Sequence, residues 1–98
     1  MWPGYDFLLR VAELLGKKWV IPLLSVLYLC GEINFSALKK QLKITSKTLS
    51  AKLRLLNAHG FIERVAAGNH IHYSLSARGE KVSKILFSLA QKQVEGLL

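Results

Sequence analysis

The chain has 98 residues, enough for one domain around one small core, and 14 Lys and Arg against 6 Asp and Glu give it a formal net charge of +8. That balance favours an anionic partner over a cationic one, and so small a core favours oligomerisation as a further source of stability. The single cysteine, Cys30, excludes a disulfide within these residues and suits a reducing compartment, so a cytoplasmic location is expected.

Phe7, Leu8, Val11, Leu14 and Leu15 recur at helical spacing with Asp6, Arg10 and Glu13 between them, which predicts an amphipathic helix over 5–15 that ends at Gly16. From Trp19 to Gly31 the chain is uncharged and largely apolar. The run is shorter than the roughly 20 residues that span a bilayer, so it reads as a core helix from about Lys18 to Cys30 and no membrane association is expected. An export signal is not expected either: Asp6 and Glu13 stand where a positive n-region would be, and Leu29 before Cys30 is too bulky for a cleavage site. Only Ser25 interrupts the apolar run, which predicts burial from several directions, with Cys30 an inert core thiol and Trp19 and Tyr28 core aromatics. Pro22 fits near the first turn, where amide protons lack helical partners.

Phe35, Leu38 and Leu42 predict a short helix capped by Ser36, carrying Lys39 and Lys40 outward. Ile44 begins a tight turn, and Thr45 or Ser46 can cap a second helix with the apolar stripe Leu49, Leu53 and Leu56, stopped by Gly60. Residues 36–59 are thus a helix-turn-helix. Phe61–Val65 and the alternating His70–Leu75, joined through Gly68 and Asn69, predict a two-stranded hairpin over 61–75. Ser76 can then cap a last helix, about 77–95, with Val82, Ile85, Leu86, Leu89 and Val94 on one side. The expected fold is α+β but mostly α: a single winged helix-turn-helix domain over 1–98, with helices flanking it at both ends.

Between Ile33 and Ile62 there is no acidic residue, yet Lys39, Lys40, Lys43, Lys47, Lys52 and Arg54 all fall there. A one-signed field on a helix-turn-helix is what a phosphate backbone attracts, so double-stranded DNA is the expected partner. Ser46, Lys47 and Thr48 occupy the turn of the recognition helix that enters the major groove first, and Ser50 and Ala51 allow close approach. Arg54 can bond a guanine edge or grip a phosphate, while Lys39, Lys40 and Lys43 suit backbone contacts, and Arg64 and His70 are candidates on the wing. His70 and His72 share a strand face, but without a third ligand nearby in sequence they predict no metal centre. There is no glycine-rich phosphate loop, no paired-carboxylate segment and no nucleophile beside a base, so neither an enzyme nor a cofactor is expected.

The terminal helices carry more apolar surface than one small core needs: Phe7, Leu8, Val11 and Leu15 at the start, Ile85, Leu86, Leu89 and Val94 at the end. Pairing them across a twofold axis predicts a homodimer that presents two recognition helices to half-sites roughly 34 Å apart, hence a pseudo-palindromic operator. The competing reading is a winged helix used as a protein-interaction module in a transcription or chromatin assembly, since fold does not fix function.

The ordered series Gly16-Lys17-Lys18-Trp19, Asn34-Phe35-Ser36-Ala37-Leu38, Ser46-Lys47-Thr48-Leu49, Leu53-Arg54-Leu55-Leu56, His59-Gly60-Phe61-Ile62-Glu63-Arg64 and His72-Tyr73-Ser74-Leu75-Ser76 with Gly79 resembles the HxlR-type winged helix-turn-helix regulators, relatives of the MarR group. The resemblance covers about two-thirds of the chain. It implies dimerisation through the flanking helices; a homodimeric, repressor-like transcription regulator is expected, and the apolar helix over 18–30 could line a cavity for a small-molecule effector. Asn34 stands where the family usually has arginine, the wing is short, and no cysteine precedes Cys30, so the electrophile sensing of some members is not implied.

Overall fold

In the computed structural model, which describes residues 4–92, the elements in chain order are α1 (Tyr5–Leu15), α2 (Val20–Cys30), β1 (Ile33–Asn34), α3 (Phe35–Leu42), α4 (Ser46–Ala58), β2 (Ile62–Ala67), β3 (His70–Leu75) and α5 (Ala77–Lys92). The bounds of α1 and β3 are those expected. Helix α2 begins at Val20 rather than Lys18, because Trp19 adopts a left-handed conformation, φ +75°, and breaks the helical path before it. Pro22 therefore falls in the first turn of α2, where its missing amide costs no helical hydrogen bond.

The core is built where five elements converge. Leu14 of α1, Val20, Leu23, Leu24 and Leu27 of α2, Leu38 of α3, Ile44 of the turn, Leu49, Leu53 and Leu56 of α4, and Phe61 and Ile62 leading into β2 are all buried. Removing side chains of this size from water stabilises the fold by about 1.5–3 kcal/mol each. On the far side, α5 closes against α2, where the Tyr28 and Phe87 rings lie 4.9 Å apart, a favourable tilted pair.

Two expectations for α2 fail. The helix is buried along one face only: Ile21 and Leu29 are exposed, Leu29 at 70%. Cys30 is exposed as well, not a core thiol, because α2 ends at Gly31 on the surface and the last turn carries Cys30 outward. A uniformly apolar helix contains no periodic signal to say which side meets the core.

The sheet also differs from a bare hairpin. It is three-stranded and antiparallel, in the order β1-β3-β2. The β2–β3 hairpin pairs Ile62 with Leu75 through to Ala67 with His70, and the added strand pairs Ile33 with Tyr73 and Asn34 with His72. Strand β1 thus anchors the wing to the start of the helix-turn-helix.

Ser76 caps α5 as expected: its hydroxyl accepts from the Gly79 amide at 3.1 Å and donates to the Gly60 carbonyl. Gly79 is buried so closely against Phe61 that a methyl group there would collide with the Phe61 carbonyl oxygen and press on Leu75. The start of α5 is therefore seated directly on the link between α4 and β2.

Candidate nucleic-acid interface

Helix α3 is capped by Asn34, not Ser36: the Asn34 Oδ1 accepts from the Ala37 amide at 2.8 Å. The residue standing where the family usually has arginine therefore stabilises the helix start by accepting one of its orphan amides. At the other end, Lys43 closes α3 in a left-handed conformation, φ +53°, which turns the chain sharply enough to bury Ile44. Thr45 then caps α4, its Oγ1 accepting from the Thr48 amide at 3.3 Å and donating to the Thr48 hydroxyl at 2.9 Å. The turn is thus set by one strained backbone position, one buried side chain and one cap.

With Leu49, Leu53 and Leu56 held inside, the helical period leaves Ser46, Lys47, Ala51, Arg54 and Ala58 exposed along the opposite face of α4. Ser50 and Thr48 are half-buried at its edges, and the Thr48 hydroxyl, already an acceptor for Thr45, keeps its own proton and one lone pair free. Lys39, Lys40 and Lys43 are exposed beside Ser36 and Ile44, around a shallow depression. Among the described residues the one carboxylate contact within 4.0 Å of a basic side chain joins His72 Nδ1 to a Glu32 oxygen at 3.8 Å, so no carboxylate neutralises any cation of α3 or α4 at that range.

The wing supplies one further cation to this face and turns a histidine away from it. Directly paired residues in an antiparallel sheet point to the same side. Arg64 and Tyr73 pair with each other and lie on the side of the buried Ile62. With Ser50, Leu53, Arg54, Asn57 and Ala58 of α4 they line a groove of ≈ 360 Å³, which brings the two arginines to one cleft between recognition helix and wing. His70 and His72 pair with Ala67 and Val65 on the opposite side, their rings 6.4 Å apart, with Glu32 next to His72. His70 thus does not join the Arg54–Arg64 cleft. No group of three or more metal-ligating side chains assembles among the described residues.

Asn57 and Tyr73 were not singled out by the sequence, yet both line the cleft. Asn57 also donates to the Ile62 carbonyl at 3.2 Å and so ties the end of α4 to the first wing strand. Tyr73 was recoverable by counting: pairing outward from the Gly68–Asn69 turn sets it opposite Arg64.

Of the residues expected at a dimer contact, Leu8, Ile85 and Leu89 are exposed, at 52%, 62% and 54%. Leu15 and Leu86 instead pack against the core, Val11 is half-buried, the Phe7 side chain and Val94 lie outside the described residues, and Leu9, Ile21 and Leu29 join the exposed apolar set. No helix among the described residues is long and apolar enough to cross a membrane.

A helix-turn-helix whose second helix faces outward, followed by an antiparallel hairpin and flanked by terminal helices, defines a winged helix-turn-helix protein. The chain belongs to the HxlR-like helix-turn-helix family, whose model matches residues 14–95. It is 32% identical over 83 residues to the uncharacterized HTH-type transcriptional regulator sll1512 of Synechocystis sp., a match covering 82% of this chain and 62% of that protein, so the chain spans less than two-thirds of the relative's length. Its fold is similar to that of the transcriptional regulator YodB from B. subtilis in the reduced form, with a TM-score of 0.80 at 21% identity over 99% of this chain and 95% of that one. The quinone-bound form of YodB gives 0.77 at 24% identity, covering 97% of this chain and 98% of that one. The HTH-type regulator ytcD gives 0.79 at 30% identity, covering 90% of this chain and 93% of that one. The names of these relatives describe them as transcriptional regulators.

Proposed function

We propose that this regulator acts as a cytoplasmic homodimer that binds a pseudo-palindromic operator in double-stranded DNA, with a repressor-like output. The observation that carries the reading is the uncompensated cationic face: Lys39, Lys40, Lys43, Lys47 and Arg54 on the helix-turn-helix, extended by Arg64 across the cleft, with no carboxylate in ion-pair reach among the described residues. Ser46, Lys47, Thr48, Ser50 and Ala51 would enter the major groove, Arg54 and Arg64 would straddle the adjoining backbone and base edges, and the three lysines of α3 and its turn would hold flanking phosphates. His70 would contribute only from the tip of the wing.

Dimerisation is supported by the exposed Leu8, Leu9, Ile85 and Leu89 on the first and last helices, since monomers seldom leave such apolar surface uncovered. The quinone-bound form of YodB, a protein of the same fold, supports a small-molecule effector for this chain as well.

Fluorescence anisotropy on duplex DNA across a salt series, followed by selection from a random duplex pool, tests the reading. Affinity should fall steeply as salt rises, because each neutralised phosphate releases counterions, and the pool should yield an inverted repeat. A flat salt dependence would sink DNA binding altogether. A pool that enriches nothing would leave the interaction-module reading in its place.

A further inference from the structure

A second cluster of cations lies away from the α3–α4 face, where the first helix, the end of the recognition helix and the start of the last helix meet. Arg10, Val11 and Leu14 of α1, His59 and Phe61 after α4, and Arg78 of α5 line a half-open pocket of ≈ 140 Å³. Its lining divides cleanly: Val11, Leu14 and Phe61 are apolar, while Arg10, Arg78 and His59 supply donors. Among the described residues neither arginine has a carboxylate within ion-pair distance. Arg78 is already held in place, with its Nη1 donating to the His59 carbonyl at 3.1 Å and its guanidinium 5.8 Å over the Phe61 ring.

We propose that this pocket is a binding site for a small organic carboxylate with an aromatic or branched apolar body. An apolar cavity of roughly 150 Å³ accommodates one benzene ring, so the space fits one ring-sized group on the Val11, Leu14 and Phe61 side. The carboxylate would sit between Arg10 and Arg78, which reach it from two different helices with the fork geometry that carboxylates match. A bare inorganic anion would leave the apolar floor wet, and a neutral analogue would forgo the charge-assisted bonds to the two guanidiniums, so both should bind more weakly.

The location gives such a ligand a route to the DNA-binding face, and this consequence alone rests on the proposed DNA binding. Arg78 holds the carbonyl that closes α4, Gly79 beside it is packed against Phe61, and Arg10 lies on the helix expected at the dimer contact. A carboxylate bridging Arg10 and Arg78 couples the angle of α1 to the end of the recognition helix, and through α1 to the spacing of the two recognition helices.

The test uses the full chain without DNA first. Benzoate, benzamide and inorganic phosphate are titrated at constant ionic strength while backbone amide shifts are followed by NMR. Benzoate should saturate with shifts centred on His59, Phe61 and Arg78, at least about tenfold tighter than either control, and Arg10→Gln and Arg78→Gln should each weaken it by about tenfold or more. Arg64→Gln, in the other cleft, should leave it unchanged. No saturable binding at millimolar benzoate, equal binding of benzamide or phosphate, or an equal loss in Arg64→Gln would each overturn the site. If Arg78→Gln does not fold, the exposed Arg10→Gln decides the matter alone. In the second arm, saturating benzoate should change operator affinity of the wild type by several-fold and that of Arg10→Gln by much less. Benzoate that binds while operator affinity stays constant would overturn the coupling, whereas absence of operator binding in any condition would count against the DNA-binding reading and leave the site intact.

Discussion

Arg54 and Lys39 carry the same charge but hold different places, and the difference is measurable. Arg54 is exposed on the outward face of α4 and shares a cleft with Arg64, whereas Lys39 sits on α3 beside Lys40. A bidentate arginine on a base edge contributes about 1–3 kcal/mol of discrimination, while a lysine on a phosphate acts on all sequences alike. Arg54→Ala should therefore narrow the gap between operator and random duplex in anisotropy titrations, and Lys39→Ala should weaken both equally. Equal losses for Arg54→Ala would assign it to the backbone.

Most helix starts and stops in this chain fall where local chemistry suggests, and the cap of α3 alone is displaced, from Ser36 to Asn34. Asn34 and Thr45 cap the two short helices, and the residue after each helix decides how sharply the chain turns: Lys43 in the left-handed region after α3, Gly60 at φ +77° shortly after α4. The contact between elements most sensitive to substitution is the seat of α5. Gly79→Ala places a methyl group against the Phe61 carbonyl, a backbone atom that cannot swing aside, so α5 must lift from the α4–β2 link. Overpacking at such a site typically costs about 1–3 kcal/mol. Urea unfolding followed by circular dichroism should show a lower midpoint with an unchanged slope; a midpoint equal to wild type would mean that the seat is loose.

At the scale of the whole molecule, the fold leaves apolar side chains uncovered on three helices that neighbour one another, α1 on α2 and α2 on α5. Leu89 is exposed on α5, outside the helix-turn-helix and the wing, and makes a clean probe. Light scattering at micromolar concentration should find a dimer for the wild type and a monomer for Leu89→Glu, with the helical circular dichroism spectrum retained and specific operator binding lost, because a single half-site holds only half the contacts. A wild-type monomer that binds its operator tightly would overturn the twofold arrangement.

Much of this was written in local chemistry that one sequence displays. Spacing of apolar residues set the limits of α1 and β3, the leucine stripe of α4 showed which side faces the core, and the acid-free window identified the cationic face. These features are legible because hydrogen bonding within a helix or hairpin, and the period of side chains along it, depend only on near neighbours. Tertiary structure decided the rest. Strand β1 is two residues long and exists as a strand only because β3 offers it an edge. The apolar α2 holds no periodic clue to its buried face, so the exposure of Ile21, Leu29 and Cys30 was set by what packs against its other side. Arg54 and Arg64 share one cleft, and Arg10 and Arg78 line one pocket, across distances in sequence that no local pattern spans; the folded core sets each pair around one space while every member is placed by a different element.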